Sequence, residues 1–138
     1  MVDTNIISEL RRPRPNRKVV EFIENTPISK LYLSTVSLAE IRKGISSTAD
    51  PAKRASLGLW LGNELQPMFE GRILAATEDV LLQSLLIIDI GRKRRHNFKY
   101  PDILIAATAI QHGLTIVTRN VRDFEAFGAE IHDPWTSD

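Results

Sequence analysis

The stretch Tyr100-Pro101-Asp102-Ile103-Leu104-Ile105-Ala106-Ala107 decides the fold. It predicts a helix from Pro101 to His112, because proline is favoured in the first helical turn and glycine, here Gly113, is common just after the last. The interior of this helix is almost free of charge, which is typical of a helix buried at the centre of a domain. One acid, Asp102, stands at its start, and an acid beside a core rarely stays ionised without a partner.

On either side of this helix the chain alternates short apolar stretches with helical ones. Strands are predicted at residues 1–2, 31–33, 72–75 and 115–118. Helices are predicted after the caps Asn16, Ser37 and Thr77, from Pro51 to Phe69 and from Val121 to Phe127, with a turn at residues 5–10. Such alternation implies right-handed crossovers and a parallel sheet covered on both faces. We therefore expect an α/β fold with three α/β/α layers around a mostly parallel sheet of about five strands.

The size and composition of the chain restrict its class. Its 138 residues, 43% of them hydrophobic, suit a single domain over residues 1–138. There is no cysteine, which excludes disulfides, thiolate metal sites and cysteine nucleophiles, and the three histidines lack zinc-binding spacing. No apolar run approaches the ~20 residues that cross a bilayer, so we expect a soluble, cytoplasmic protein with no membrane partner.

Two basic blocks stand out, although the net charge of +1 says little about partners. Blocks of this kind can contact nucleic-acid phosphates or can simply be solvated helix ends, and the sequence leaves both interpretations open. They consist of Arg11, Arg12, Arg14, Arg17 and Lys18, and of Arg92, Lys93, Arg94, Arg95, His96 and Lys99.

The predicted helix after Thr77 is apolar almost all round. Its apolar residues are Val80, Leu81, Leu82, Leu85, Leu86, Ile87, Ile88 and Ile90. This is more apolar surface than one core contact needs, so the helix is either a dimer face or is sandwiched inside the domain.

Several polar residues stand where a parallel sheet builds a site. Asp3 follows the first predicted strand, Glu40 and Asp102 lie in first helical turns, and Asn120 and Asp123 follow the strand that ends at Thr118. Strand ends of this kind meet at one edge of the sheet. Clustered carboxylates repel one another and are neutralised by protons or by hard cations such as Mg²⁺ or Mn²⁺, which predicts metal-assisted phosphodiester hydrolysis. Considered one at a time, each acid could also have a purely structural role. It could stabilise a turn, interact with a helix dipole or, for Glu40, pair with Lys43.

Three blocks of the sequence resemble the PIN-domain ribonucleases, and within them the VapC-type toxins of bacterial toxin–antitoxin pairs. They are residues 2–9, residues 33–41, and residues 101–107 continuing to 118–124, and the closing Asp133-Pro134-Trp135 resembles the tail of the same group. The resemblance implies an endoribonuclease in which Asp3 and Asp102 bind Mg²⁺ or Mn²⁺ and Glu40 does so directly or through water.

The resemblance implies further roles and partners. Thr118 and Asn5 would orient carboxylates, and either Asn120 or Asp123 would supply the fourth site group, because Asn120 stands where family members often have an acid. Arg12, Arg17, Arg94 and Lys99 are candidates for binding the RNA backbone. The partners implied are an RNA substrate, a second copy in a homodimer, and a VapB-like antitoxin whose C-terminal segment packs near the acids, with operator DNA in the larger assembly.

A second hypothesis keeps the fold without the chemistry. Asn120 and the short segment before Asp3 favour a catalytically weak PIN-fold scaffold that binds an antitoxin and helps to regulate operator DNA. The intact acids at three positions count against it, because a scaffold has no use for a repelling cluster.

Overall fold

Short parallel strands and longer helices alternate along the chain in the computed structural model, which describes residues 1–94 and 98–137. The helices are α1 (Thr4–Leu10), α2 (Arg17–Asn25), α3 (Thr35–Ser46), α4 (Pro51–Trp60), α5 (Gln66–Met68), α6 (Glu78–Lys93), α7 (Tyr100–Gln111) and α8 (Val121–Glu125). A 3₁₀ turn lies at Ile28–Lys30, and a π-helical turn at Leu61–Leu65 joins α4 to α5. The strands are β1 (Leu33–Ser34), β2 (Ile73–Leu74), β3 (Ile116–Val117) and β4 (Ile131–His132).

All strand pairs are parallel. Strand β1 pairs with β2, and β3 pairs with β4. The start of the chain lies between the two pairs, since Val2 N donates to Tyr32 O at 2.9 Å and Val117 N donates to Met1 O at 2.8 Å. The α/β fold is confirmed. The strand count is not, because the described residues form four two-residue strands and Val2 adds only an isolated bridge to Val117.

Helices cover both faces of this sheet, as two buried clusters show. The carboxyl-half cluster contains Met1, Ile116 and the buried apolar residues of α6, α7 and α8. The amino-half cluster contains Val2, Leu33, Val117 and buried apolar residues of α1, α2, α3 and the π-helical turn. Neighbouring strand residues point to opposite faces, so Met1 and Val2 enter different clusters. The predicted central helix is confirmed as α7, in which six residues are buried: Ile103, Ile105, Ala106, Ala107, Thr108 and Ala109.

Residues 5–10 were predicted to be a turn, and that prediction is wrong. They belong to helix α1, whose N-cap is Asp3, and the helix buries Ile6 and Ile7 in the amino-half cluster. Isoleucine has only moderate helix propensity, so burial rather than local preference stabilises this helix.

The start of helix α3 also differs from the prediction. Ser34, not Ser37, is the N-cap, and its Oγ accepts a hydrogen bond from Val36 N at 3.0 Å. Ser37 lies fully buried inside the helix. Both serines fit the capping pattern, and the earlier one is used because strand β1 ends there.

Helix α6 has one buried side and one exposed side. Val80, Ser84 and Ile87 are buried on the side that faces the core. The other side exposes Leu82, Leu85 and Leu86 by 58%, 57% and 51%. The sandwiched-helix alternative is therefore wrong within this chain, and an unpartnered apolar face remains. In residues 1–94 and 98–137, no helix has the length and apolar character to cross a membrane.

Candidate active site

Asp3 lies at the carboxyl edge of the sheet, where the start of the chain meets β3. Its backbone N donates to Val117 O at 3.0 Å, and its side chain is only 5% exposed. Oδ1 accepts from Thr4 N at 2.7 Å, and Oδ2 accepts from the Thr118 hydroxyl at 2.8 Å. Burial raises the pKa of Asp3, the two hydrogen bonds oppose that rise, and the negative charge of Asp123 adds to it.

Thr118 and Asn5, the two candidate orienting residues, both contact the Asp3 carboxylate. The Thr118 hydroxyl donates to Asp3 and accepts from Asn5 Nδ2 at 3.1 Å and from Asn120 N at 3.0 Å. Asn5 Nδ2 also lies 3.3 Å from Asp3 Oδ2. The three side chains therefore form a closed polar network around one carboxylate.

Glu40 lies on α3 and reaches the same site through Thr4. The Thr4 hydroxyl donates to Glu40 Oε1 at 3.2 Å, an interaction that the sequence analysis missed. Burial of part of the carboxyl group raises the pKa of Glu40, and the charge of Asp3 raises it further while Lys99 lowers it. Among the described residues, Glu40 is exposed and forms no ion pair with Lys43.

Asp102, in the first turn of α7, shows most clearly that the acids converge. Burial raises its pKa to about 6, and the negative charges of Asp3, Asp123 and Glu40 add to that rise, whereas Lys99 opposes it. Charges act on a carboxyl group in this way only at short range. Four acids from separate parts of the chain therefore share one site.

Asp123 and Asn120, the two candidates for the fourth site group, take different parts in the structure. Asp123, on α8, raises the pKa of both Asp3 and Asp102. Asn120 contributes its backbone N–H to Thr118, and no side-chain hydrogen bond caps α8 at this residue. The sequence could not separate the two because the helix that carries Asp123 begins directly after Asn120.

The donor set at this edge fits a hard divalent cation. Within the described ranges, no three His, Cys, Asp or Glu side chains are placed to enclose a metal ion. The chemistry of the set still matches Mg²⁺ or Mn²⁺, since four carboxyl groups destabilise one another's charge and a cation would relieve that repulsion. Asn5 Oδ1 is also buried there without a hydrogen-bond partner in the described part of the chain.

The predicted RNA-binding cations lie in different surroundings. Lys99 precedes α7 and acts on the charges of Glu40 and Asp102, so it lies beside the acids. Arg12 pairs with Glu9 at 3.3 Å and Arg17 with Glu21 at 2.7 Å, and neither interacts with the four acids. Arg94 is exposed at the end of α6, and Arg95 and His96 of the same basic block lie outside the described residues.

Two further features were not singled out from the sequence. Arg119 stacks on Trp135, with its guanidinium carbon 5.3 Å from the ring centroid. An apolar cavity of about 170 Å³ lies between α1, α2 and the α4–α5 segment, and its lining includes Ile6, Leu10, Ile23, Trp60, Leu65 and Phe69.

Comparisons with known proteins agree with this geometry. Residues 1–130 match the family model of the PIN domain. Toxin FitB of Neisseria gonorrhoeae is 35% identical over 135 residues, which cover 98% of this chain and 97% of that protein. The VapC ribonuclease Y4jK of Sinorhizobium fredii is 33% identical, with 98% and 96% covered.

The chain is also similar to solved structures along nearly its whole length. The crystal structure of FitAcB from Neisseria gonorrhoeae superimposes with a TM-score of 0.93 and 34% identity, covering 99% of this chain and 98% of that one. The structure of FitAB bound to an IR36 DNA fragment gives a TM-score of 0.92 and 33% identity, covering 99% and 96%.

Proposed function

This chain belongs to the PIN-domain family, and we propose that it is a metal-dependent endoribonuclease that acts as the toxin of a toxin–antitoxin pair. The observation that carries the proposal is the convergence of Asp3, Glu40, Asp102 and Asp123 at the carboxyl edge of the sheet. The similar proteins support it by name, since one is a toxin and another a VapC ribonuclease.

The cofactor in this proposal is Mg²⁺ or Mn²⁺. Asp3 and Asp102 would hold it directly, Glu40 directly or through water, and Asp123 would be the fourth acid of the site. Such a cation, when bound, lowers the pKa of a coordinated water and neutralises charge on a phosphate.

The side chains of the protein have separate tasks in hydrolysis. The bond between the attacking water oxygen and phosphorus forms, one phosphorus–oxygen ester bond breaks, and the leaving oxygen takes up a proton. Asp3 stays in one orientation because Thr118 and Thr4 N hold both its oxygens. Glu40 is exposed and has a raised pKa, so it can accept the proton that the attacking water releases. Lys99 attracts the RNA phosphates toward the acids.

The partners in this proposal are an antitoxin, a second copy of the chain and operator DNA. The apolar cavity between α1, α2 and the α4–α5 segment suits an apolar side chain of the antitoxin. The exposed leucines of α6 suit the dimer contact. The similarity to FitAB bound to a DNA fragment supports the larger assembly. We place the protein in the cytoplasm with its RNA substrate.

The test is cleavage of RNA by the purified protein with Mn²⁺ or Mg²⁺, with and without EDTA. We expect cleavage that needs the metal, stops with the chelator and is lost in Asp102→Asn. Asp89→Asn is the matched control, because Asp89 is an exposed acid on α6 and is not among the charges that act on Asp102. Full activity in Asp102→Asn would rule the proposal out.

The scaffold hypothesis has one observation in its favour, which is that the side chains as placed enclose no metal ion within the described residues. Calorimetric titration of the free protein with Mn²⁺ separates the two functions. Binding that Asp102→Asn abolishes supports the nuclease, and no binding at any concentration tested supports the scaffold.

A further inference from the structure

Arg119 is a cation held by an aromatic ring rather than by an acid. It is exposed, it directly follows Thr118, and its guanidinium carbon lies 5.3 Å from the centroid of the Trp135 ring. Within residues 1–94 and 98–137 it forms no ion pair. A guanidinium on a ring face keeps its charge and leaves the N–H donors at its edge available, and these donors match the oxygens of a phosphate.

Trp135 is fixed in place from two sides. Asp133 Oδ1 accepts a hydrogen bond from Trp135 N at 2.9 Å, and the Trp135 ring packs against the amino-half cluster. An ordered ring reduces the conformational entropy that Arg119 would otherwise lose on binding a ligand. Trp135 therefore orients Arg119 before any ligand arrives.

The pair lies at the edge of the sheet that carries the acids. Strand β4 is parallel to β3, and Thr118 N donates to His132 O at 3.0 Å, so residues 133–135 leave the sheet beside Thr118. Thr118 is in turn bonded to Asp3. Arg119 and Trp135 are thus on the β3–β4 side of the site, whereas Lys99 is on the side of α7.

An RNA strand needs cations at this edge. Its phosphates carry the same charge as the four acids, and the repulsion must be offset by positive groups next to the site. We propose that Arg119, oriented by Trp135, binds a phosphate of the RNA strand adjacent to the one that is cleaved. This inference rests on the proposed nuclease function. Arg119 is then a substrate-binding residue, and Trp135 is a positioning residue that acts through it.

The experiment measures binding without cleavage. All variants are made in the Asp102→Asn protein, and the probe is a short fluorescein-labelled single-stranded RNA of mixed sequence, followed by anisotropy at several salt concentrations. Arg119→Gln should weaken binding about tenfold, as expected for loss of a hydrogen bond to a charged group. The slope of log affinity against log salt should fall by about 0.7, the value for one phosphate contact with a single strand.

Lys30→Gln is the matched control. Lys30 is exposed just before β1, at the opposite edge of the sheet, and the substitution removes the same single charge. Trp135→Phe keeps a ring under Arg119 and should bind RNA nearly as well as the parent protein. Trp135→Leu should lose most of the affinity that Arg119→Gln loses, and a double variant should lose little more than either alone. In the cleaving protein, Arg119→Gln should raise KM about tenfold and leave kcat unchanged.

Other outcomes overturn the inference. Equal RNA affinity in Arg119→Gln and Lys30→Gln would show that Arg119 contributes only general charge. Unchanged RNA affinity combined with weakened binding of a co-expressed antitoxin would show that the pair binds protein. If the unaltered protein cleaves no RNA, the proposed function fails. That result is obtained without any Arg119 variant, so it can be told apart from a failure of the inference about Arg119.

Discussion

Thr118 donates its hydroxyl hydrogen to Asp3 Oδ2 over 2.8 Å and joins two residues that are 115 positions apart in the sequence. The same hydroxyl accepts from Asn5 and Asn120, so all its hydrogen-bonding capacity is used. The bond connects strand β3 to the start of helix α1 and holds one carboxylate of the site against the repulsion of the others.

Replacing Thr118 with valine should loosen Asp3 without changing the shape of the core. The substitution removes the buried donor to Asp3 and the acceptor of Asn120 N, and leaves Asn5 Nδ2 with Asp3 alone, which should cost about 1–3 kcal/mol of unfolding free energy. We expect RNA cleavage to fall about 10- to 100-fold, as for other residues that orient a ligand. Denaturant unfolding and cleavage rates measure the two effects. Thr118→Ser retains the hydroxyl and should keep most of the stability and most of the cleavage rate. If the serine variant were as impaired as the valine variant, the hydrogen bond would not have this role.

Asp102→Asn should abolish cleavage and at the same time stabilise the free protein. The fold raises the pKa of Asp102 to about 6, which means that the ionised carboxylate is unfavourable in the folded state. Because the group is half exposed, we discount the shift and expect a gain of about 1 kcal/mol at neutral pH. Thermal unfolding without divalent metal should show a melting temperature about 3 °C higher. A lower melting temperature would mean that the acids do not repel one another.

The stability of the metal-free protein should fall as the pH rises from 3.8 to about 6. Over this window the folded protein binds more protons at Asp102 than the unfolded chain does, so the free energy of unfolding decreases with pH. Asp3 and Glu40 have pKa values raised in the same direction and add to the effect. Melting curves across this range measure it. Added Mn²⁺ should flatten the curve because a cation favours the ionised carboxylates, and a curve unaffected by Mn²⁺ would argue against a metal site.

Asp123→Asn should lower Mn²⁺ affinity and RNA cleavage by about tenfold or more, because its charge acts on Asp3 and Asp102. Asn120→Ala should have a small effect, since Asn120 contributes its backbone N–H to the network. Calorimetry and cleavage assays on both variants compare the two positions directly. A larger loss of Mn²⁺ affinity and cleavage in Asn120→Ala than in Asp123→Asn would assign the fourth site group to Asn120.

The double variant Leu82→Glu/Leu86→Glu should convert a homodimer into a monomer. Both leucines are more than half exposed on the same side of α6, and burying charge in place of them would weaken association by several kcal/mol, or at least about a hundredfold in Kd. Analytical ultracentrifugation measures the change, with Lys53→Glu on α4 as a control that alters the net charge by the same amount at an exposed position on another helix. A double variant that still sediments as a dimer would place the interface elsewhere.

The strongest patterns in the sequence predicted the fold most accurately. Helix α7 could be predicted because its apolar run is long and is bounded by Pro101 and Gly113, and Gly113 indeed adopts a positive φ of 63°. The expectation that Asp3, Glu40 and Asp102 come together rested on their places at strand ends and helix starts in a parallel sheet.

Other features depended on packing that the sequence does not display. Helix α1 exists because Ile6 and Ile7 are buried, and strand β4 has two residues, which is too short for an alternating pattern. The hydrogen bond from Thr4 to Glu40 and the stacking of Arg119 on Trp135 join residues far apart in the chain, so no local pattern predicts them.

The hydrogen bond between Asp3 and Thr118 also determines when the group of acids can first assemble during synthesis of the chain. Translation delivers Asp3 and Glu40 early, and the buried members of the amino-half cluster other than Val117 can pack together while the ribosome is still adding residues. Asp102, Thr118 and Asp123 emerge last. The proposed site therefore cannot be complete until nearly all of the chain has left the ribosome.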